Sequence, residues 1–255
     1  MGGNAMRTIA WFSGGITSAV ACKLALEKNP ETEIVFIETG SHHPDLLRFL
    51  VDCENWFGKK ITILQHETLK SVEDCIRKYK FINSPNGARC TKTLKSEVRE
   101  KWEKSNQNIG TYVWGFESGA KEEARAKRIM DKQSEKKHIF PLIEAKMDKQ
   151  DAIKYVQDAG IEIPAMYKLG YTNNNCVGCV KGGMAYWNKI RVDFPEVFDR
   201  MAKLEREIGA KCLKSYYLDE LPPTAGRGQK PLVTECGSTG EGCEIEKMRW
   251  YNTRD

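Results

Sequence analysis

Up to about Gly160, apolar residues arrive in blocks of two textures. Short blocks rich in β-branched and aromatic residues read as buried strands. Longer stretches with apolar residues three and four apart read as amphipathic helices. Strands are predicted over Arg7–Phe12, Glu33–Glu38, Lys60–Gln65, Thr111–Phe116 and His138–Ile143. Helices are predicted over Thr17–Lys28, Pro44–Phe57, Leu69–Tyr79, Thr91–Lys104, Ala120–Lys132 and Asp148–Ala159, the last closed by Gly160. Asn83–Gly87 reads as a loop. The alternation predicts an α/β fold, a doubly wound, mostly parallel, Rossmann-like sheet with helices on both faces. Ligands of such sheets bind beyond the carboxyl ends of strands. Ser13, Glu38-Thr39-Gly40 and Gly115-Phe116-Glu117 fall at such ends.

After Pro164 the texture changes. A polar loop, Tyr171–Asn175, precedes Cys176-Val177-Gly178-Cys179. A helical stretch over Gly183–Ile208 is interrupted near Pro195, and the tail from Leu221 is rich in Pro, Gly and Thr. The expected division is a nucleotide-binding α/β domain over 6–163 and a helical, cysteine-containing extension over 164–255 that packs on the active site. The tail is expected to fold back over that site.

At 255 residues, 40% hydrophobic and 29% charged, the composition fits a soluble, enzyme-sized protein. No apolar run is long enough to span a membrane and no signal-peptide pattern opens the chain, so a cytoplasmic location is expected. The net charge of +5 suits an anionic ligand and permits a nucleic-acid partner without requiring one.

Ser13-Gly14-Gly15-Ile16-Thr17-Ser18 joins a predicted strand to a predicted helix. Glycines let backbone approach an anion, and the unpaired N–H groups of a helix start point at it. Ser13 and Ser18 add hydroxyls. The plainer reading is an ordinary turn. Neither G-x-x-x-x-G-K-[ST] nor G-x-G-x-x-G occurs.

Nine cysteines in a chain without a secretion signal do not suggest a disulfide framework. Cys22, Cys53, Cys75 and Cys212 read as core thiols. Cys90, Cys176, Cys179, Cys236 and Cys243 sit among Gly, Asn, Lys and Arg and are available for chemistry. Cys-x-x-Cys puts two sulfurs on one turn. With Cys90 and one tail cysteine, Cys243 in preference to Cys236, four sulfurs would close an iron–sulfur cluster or a structural zinc site. A redox dithiol at Cys176 and Cys179 is a third option. Lys181, Lys189 and Arg191 interleave with Tyr186 and Trp187, a pattern that holds nucleic acid or, as the preferred reading, packs.

Together these pieces resemble one family. Ser13-Gly14-Gly15-x-x-Ser18 resembles the PP-loop of the ATP pyrophosphatase (adenine nucleotide alpha hydrolase) superfamily. Glu38-Thr39-Gly40-Ser41-His42-His43-Pro44, Arg89-Cys90-Thr91-x-x-Leu94-Lys95, and Gly115-Phe116-Glu117-Ser118 followed by Glu122–Arg128 resemble its phosphoadenosine phosphosulfate (PAPS) reductase branch. Cys176–Cys179 sits where iron–sulfur members carry their second cysteine pair. The resemblance covers about residues 7–185. Thr17 stands where the family usually has Asp. Arg89 precedes Cys90 where cluster-type reductases carry adjacent cysteines. Glu235-Cys236-Gly237 is similar to the triplet that carries the nucleophile of assimilatory reductases. The complete Ser-Gly-Gly loop favours ATP over adenylyl sulfate.

The resemblance implies a nucleotide site of Ser13, Gly14, Gly15, Thr17, Ser18, Glu38, Thr39, Gly40, Gly115, Arg125 and Arg128, with Mg2+ held mainly through the phosphates. It implies catalytic roles for Ser13, Lys92, Lys95, Arg125 and Cys236. Cys90, Cys176, Cys179 and Cys243 would hold a 4Fe–4S cluster, with zinc as the alternative. The leading expectation is ATP cleavage at the α-phosphate, with adenylation of an acceptor and sulfur transfer at the cysteine site. A PAPS or adenylyl sulfate reductase releasing sulfite is the first alternative, and a non-catalytic, metal-stabilised nucleotide-binding module the second. The acceptor (tRNA, DNA or a small molecule) is open. A thiol or sulfur donor and a homodimer are expected partners; a membrane is not. His42 and His43 are expected to pack in their loop.

Overall fold

The most apolar blocks of the sequence form the centre of a five-stranded sheet. The structure is a computed structural model and describes residues 6–84, 87–233 and 236. Numbered in chain order, the sheet strands are β1 (Arg7–Phe12), β2 (Glu33–Glu38), β3 (Ile61–Gln65), β6 (Ile109–Val113) and β7 (Lys137–Ile139), arranged β3-β2-β1-β6-β7. The pairings of β1 with β2, β1 with β6 and β6 with β7 are parallel; Ile9 lies opposite both Glu33 and Tyr112. The expected α/β sheet is therefore present.

Successive side chains of β1 leave on opposite faces. Phe12 meets Phe36, Phe49 and Phe57 at ring distances of 6.2, 6.2 and 6.0 Å. That face is covered by α1 (Ile16–Lys28), α2 (Leu46–Phe57) and α7 (Lys149–Asp158), which contribute Ile16, Val20, Leu50 and Val156 to the core. Trp11 points the other way. With Tyr112 and Trp114 it surrounds the guanidinium of Arg99, which stands 4.9, 4.8 and 5.2 Å from the three rings and pairs with Glu103 at 2.6 Å. Both acid and arginine lie on α4 (Glu97–Ser105).

Element ends differ from expectation for local reasons. The second helix starts at Leu46, after Pro44 and Asp45. The third, α3 (Val72–Tyr79), starts after Ser71, whose hydroxyl accepts the Asp74 N–H at 3.0 Å. β6 stops at Val113, and β7 stops at Ile139 because Pro141 opens a short helix, α6 (Pro141–Glu144). Asn83–Ser84 (β4) and Gly87–Ala88 (β5), expected as loop, pair antiparallel. Thr91–Ser96 is helical but wound as a π-helix that continues into α4. Such wide turns are rare and tend to occur at functional sites.

The chain divides into two compact units that interleave in sequence. The first comprises the residues up to Glu38, Pro44–Leu64 and Arg99–Leu169, and so includes α5 (Ala120–Lys132) and α8 (Ala165–Lys168). The second comprises Thr39–His43, Gln65–Val98 and the chain from Gly170 on, with α9 (Met184–Asp193) and α10 (Pro195–Ile208). Among the described residues no helix is long and apolar enough to cross a membrane.

In the second unit Glu205 of α10 is fully buried and accepts the N–H groups of Cys212 and of Leu218, the latter at 2.6 Å. It fastens the segment after α10 to the helix. Glu205→Ala would leave both N–H groups unpaired, and stability should fall by about 3 kcal/mol, read as a lower urea midpoint at unchanged slope.

Candidate functional site

The first unit carries the loop after β1. Ser13 is exposed. Gly14 takes φ +78°, and a β-carbon there would lie 2.8 Å from Leu46. Gly15 caps α1 without a side chain, and the first turn carries no acidic residue, so that turn itself sets no negative charge at the helix start. Ser18 is only 3% exposed. Its hydroxyl accepts the Ser13 N–H at 3.1 Å, lies 2.8 Å from Ser13 Oγ and donates to the Gly15 carbonyl at 2.9 Å. Ser18 thus braces the loop from inside. A β-carbon at Gly115 would stand 2.3 Å from Ser18 Cα, so glycine after β6 lets the chain press against the start of α1. The Ile16 N–H donates to the Tyr167 hydroxyl at 3.3 Å. On α5, Arg125 lies 4.1 Å above the Phe116 ring and pairs with Glu122 at 3.2 Å. Arg128 is half-buried one turn on, and Glu117 pairs with Lys149 at 3.5 Å.

The second unit holds, by itself, a recess lined by Cys90, Cys176, Cys179 and Cys236 together with Thr39, Thr91, Lys95 and Lys181. Backbone bonding explains how distant segments meet. The Tyr186 hydroxyl accepts the Cys179 N–H at 2.9 Å and donates to the Cys176 carbonyl at 3.1 Å, holding both ends of the Cys-x-x-Cys turn. The Val177 N–H donates to the Ser41 carbonyl at 2.8 Å. The tail is pinned by an antiparallel bridge between Gly182 and Val233 and by the Gly183 N–H on the Leu232 carbonyl at 3.2 Å. Cys236 stands three positions beyond Val233. Hydroxyls face two of the sulfurs: Thr39 Oγ1 is 3.1 Å from Cys176 Sγ, and Thr91 Oγ1 is 3.1 Å from Cys236 Sγ.

The electrostatics of the recess are uneven. Burial, reinforced by the neighbouring sulfurs of Cys236, Cys179 and Cys176, pushes the Cys90 thiol well up. Burial likewise pushes Cys179 up to about 12. Burial also opposes ionisation of Cys236, but Lys95, Lys181 and the Thr91 hydroxyl outweigh it and draw that thiol down. Lys95 loses solvation too, yet the facing sulfurs hold it charged. The recess therefore favours negative charge on Cys236, beside Lys95 and Lys181, and opposes it on Cys90 and Cys179. Among the described residues no three Cys, His, Asp or Glu side chains converge as ligands of a single metal ion.

The PAPS reductase domain model matches residues 7–185, which takes in both the loop and the Cys-x-x-Cys pair. The chain belongs to the phosphoadenosine phosphosulfate reductase domain family. Two curated relatives are uncharacterized proteins of Methanocaldococcus jannaschii. MJ0066 is 25% identical over 78% of this chain and 42% of its own length; MJ0973 is 22% identical over 83% and 52%. This PAPS reductase-family chain thus spans about half the length of the curated relatives it matches. A crystal structure of phosphoadenylyl-sulfate (PAPS) reductase from Candida auris, in a phosphate complex, is 16% identical with a TM-score of 0.45, covering 69% of this chain and 82% of that one.

The structure gathers Cys90, Cys176, Cys179 and Cys236 with Lys95 and Thr39. Lys92 is exposed on the π-helix and does not line the recess. Cys243, like Glu235 and Gly237, lies outside the described residues. Thr39, expected at the nucleotide, lines the recess with its hydroxyl on the Cys176 sulfur, and Lys95 faces the thiols. Glu38 ends β2, and Gly40 lies against the Lys70 carbonyl. Tyr186 and Trp187 are buried, and Arg191 donates to the Leu218 and Leu221 carbonyls at 3.2 and 2.7 Å, in line with packing. His43 rests edge-on against Phe194, 5.7 Å between centroids. Cys22, Cys53, Cys75 and Cys212 are buried, and burial raises all four thiols.

The residues missed in the sequence are Thr91 as a sulfur partner and Tyr186 as the clasp. Adjacency to Cys90 was the only signal for the first. For the second there was none beyond an aromatic seven positions past Cys179. Tyr186→Phe keeps the ring but strands a buried N–H and a carbonyl. Stability should drop by about 2 kcal/mol, a melting shift of a few degrees, with the Cys-x-x-Cys amides losing hydrogen-exchange protection.

Proposed function

We propose that this protein binds ATP at the Ser13–Ser18 loop, cleaves it at the α-phosphate and couples that step to sulfur transfer at an iron–sulfur site. The observation that carries the reading is the meeting of Cys90, Cys176, Cys179 and Cys236 around one recess beside Lys95 and Lys181. A single zinc ion would need four sulfurs about 3.8 Å apart around one point. A cluster takes each thiolate on a different iron, which suits sulfurs spread around a recess. Cys236 is then the fourth ligand. Thr39 and Thr91 would donate to coordinated sulfur, and the lysines would balance the cluster's negative charge. A bound cluster supplies electron transfer and soft iron sites for sulfur.

The chain's own residues perform the nucleotide step. Loop amides and Ser13 seat the β- and γ-phosphates at the start of α1. Arg125 and Arg128 neutralise phosphate charge, and a Mg2+ ion would be held mainly through the phosphates. A nucleophilic atom of the acceptor attacks the α-phosphorus. The bond from that phosphorus to the bridging oxygen breaks, and pyrophosphate leaves with the bond's electrons. Catalysis is then positioning and charge stabilisation.

Protein purified without oxygen should carry about four irons and four sulfides per chain and absorb near ~400 nm. Cys176→Ala and Cys236→Ala should each lose the band. One zinc per chain and no colour would overturn the cluster. ATP with an acceptor fraction should release pyrophosphate, and Arg125→Ala should slow release at least about tenfold. ATP left intact with every acceptor fraction would overturn the nucleotide step.

One observation favours a second reading. Lys95 and Lys181 draw the Cys236 thiol down, as an attacking thiolate requires. In that case the Cys236 thiolate attacks the sulfur of adenylyl sulfate or PAPS, the bond from that sulfur to the phosphate oxygen breaks and the nucleotide leaves as AMP or adenosine 3′,5′-bisphosphate; a dithiol then displaces sulfite from the S-sulfonated cysteine and restores Cys236 as it closes to its own disulfide. Sulfite formed from either nucleotide plus a dithiol, and abolished by Cys236→Ser with the iron content intact, would establish it.

A further inference from the structure

Cys236 reaches the recess at the end of a segment, residues 218–233, built of one short helical turn at Leu218–Glu220 followed by loop turns. We propose that Asn188 is the positioning residue for Cys236: its amide fixes the register of this segment on α9, and that register brings the Cys236 sulfur to Thr91. The proposal rests on Cys236 being a working thiol of the recess, as both functional readings have it.

One face of α9 meets the segment at residues three apart. Arg191 donates to the Leu218 and Leu221 carbonyls at 3.2 and 2.7 Å. One turn back, Asn188 Nδ2 donates to the Pro222 and Ala225 carbonyls at 2.9 and 2.8 Å. A further turn back, Gly226 lies against Ala185. Ahead of the helix, the Gly183 N–H meets the Leu232 carbonyl and Gly182 bridges to Val233. Each step back along the helix is thus matched by a step forward along the segment. Three positions after the last contact, Cys236 Sγ stands 3.1 Å from Thr91 Oγ1.

Asn188 is the centre of this series. Arg191 Nη1 donates to Asn188 Oδ1 at 2.6 Å. A guanidinium can only donate, so the amide turns its oxygen to Arg191 and its nitrogen to the segment, where both protons are used. A carboxylate at the same position would keep the shape and the Arg191 contact, but would face two carbonyl oxygens with a third. Gly226 adds an independent constraint. It takes φ +73°, and a β-carbon there would stand 2.5 Å from the Ala185 nitrogen, so a side chain would lift the segment from α9.

The same helix sets the facing sulfurs. Tyr186, next to Ala185, holds the Cys179 N–H and the Cys176 carbonyl. One rigid element therefore gauges both the Cys-x-x-Cys turn and the approach of Cys236.

The test is thiol labelling of the full chain, purified without oxygen, with a bulky maleimide–polyethylene glycol at about pH 9, where an exposed cysteine is mostly ionised. Mass spectrometry follows Cys236 beside Cys75 and Cys212, buried core thiols of the same unit. Asn188→Asp should label Cys236 at least about tenfold faster than the wild type, through local opening of the segment. Cys75 and Cys212 should keep their wild-type rates. A merely structural role would raise all three together, and that result would overturn the proposal. Gly226→Ala should reproduce the selective rise, and it decides by the same criterion if Asn188→Asp does not fold. Unchanged Cys236 labelling in a folded variant would also overturn the proposal. None of these readouts requires iron or nucleotide, so failure of the cluster or pyrophosphate experiments would overturn the functional reading and leave the labelling result to be judged by itself.

Discussion

A thiol removed from water holds its proton tightly, and a second thiol nearby makes ionisation harder still. Cys90, Cys176, Cys179 and Cys236 share one recess, so each raises the cost of charge on the others. Lys95 and Lys181 offset that cost from the same walls. Much of the second unit serves to keep these six side chains in place. Tyr186 closes the Cys-x-x-Cys turn, Ser41 receives its middle N–H, and Asn83 reaches the Val180 carbonyl at 2.5 Å and the Cys212 carbonyl at 3.2 Å. Glu205 in turn fastens the segment that carries Cys212.

The first unit depends on a different constraint, the close approach of glycine to helix. Gly115 allows the end of β6 to touch Ser18, and Ser18 spends its hydroxyl on the loop rather than on a ligand. That division of labour fixes the shape of the Ser13–Gly15 backbone. Thr17 is half-buried at the same turn.

Much of the fold was legible in the residues. β1 and β2 have the expected ends because a run of apolar residues bounded by polar ones is a local signal. The loop at Ser13–Ser18 and the inert character of Cys22, Cys53, Cys75 and Cys212 were legible for the same reason. The pattern overran β6 and β7, since aromatic Trp114, Phe116 and Phe140 look like strand whether or not they join the ladder. Pro141 ends β7 through its missing N–H, a backbone property that hydropathy does not weigh.

The site divides along the same line. Residue types and short spacings by themselves determined that a strand, a glycine loop and a helix would form near the N-terminus, and that Cys90 and Cys176–Cys179 stood apart from the core thiols. Nothing in spacing could choose a tail cysteine, because Cys236 and Cys243 sit in equally glycine-rich surroundings. The tertiary structure placed Cys236 through the Gly182–Val233 bridge, a pairing between residues far apart in the chain. It also turned Lys95 and Thr39 toward sulfur. A side chain's partner depends on what long-range contacts bring within a few ångströms, and no local pattern encodes that.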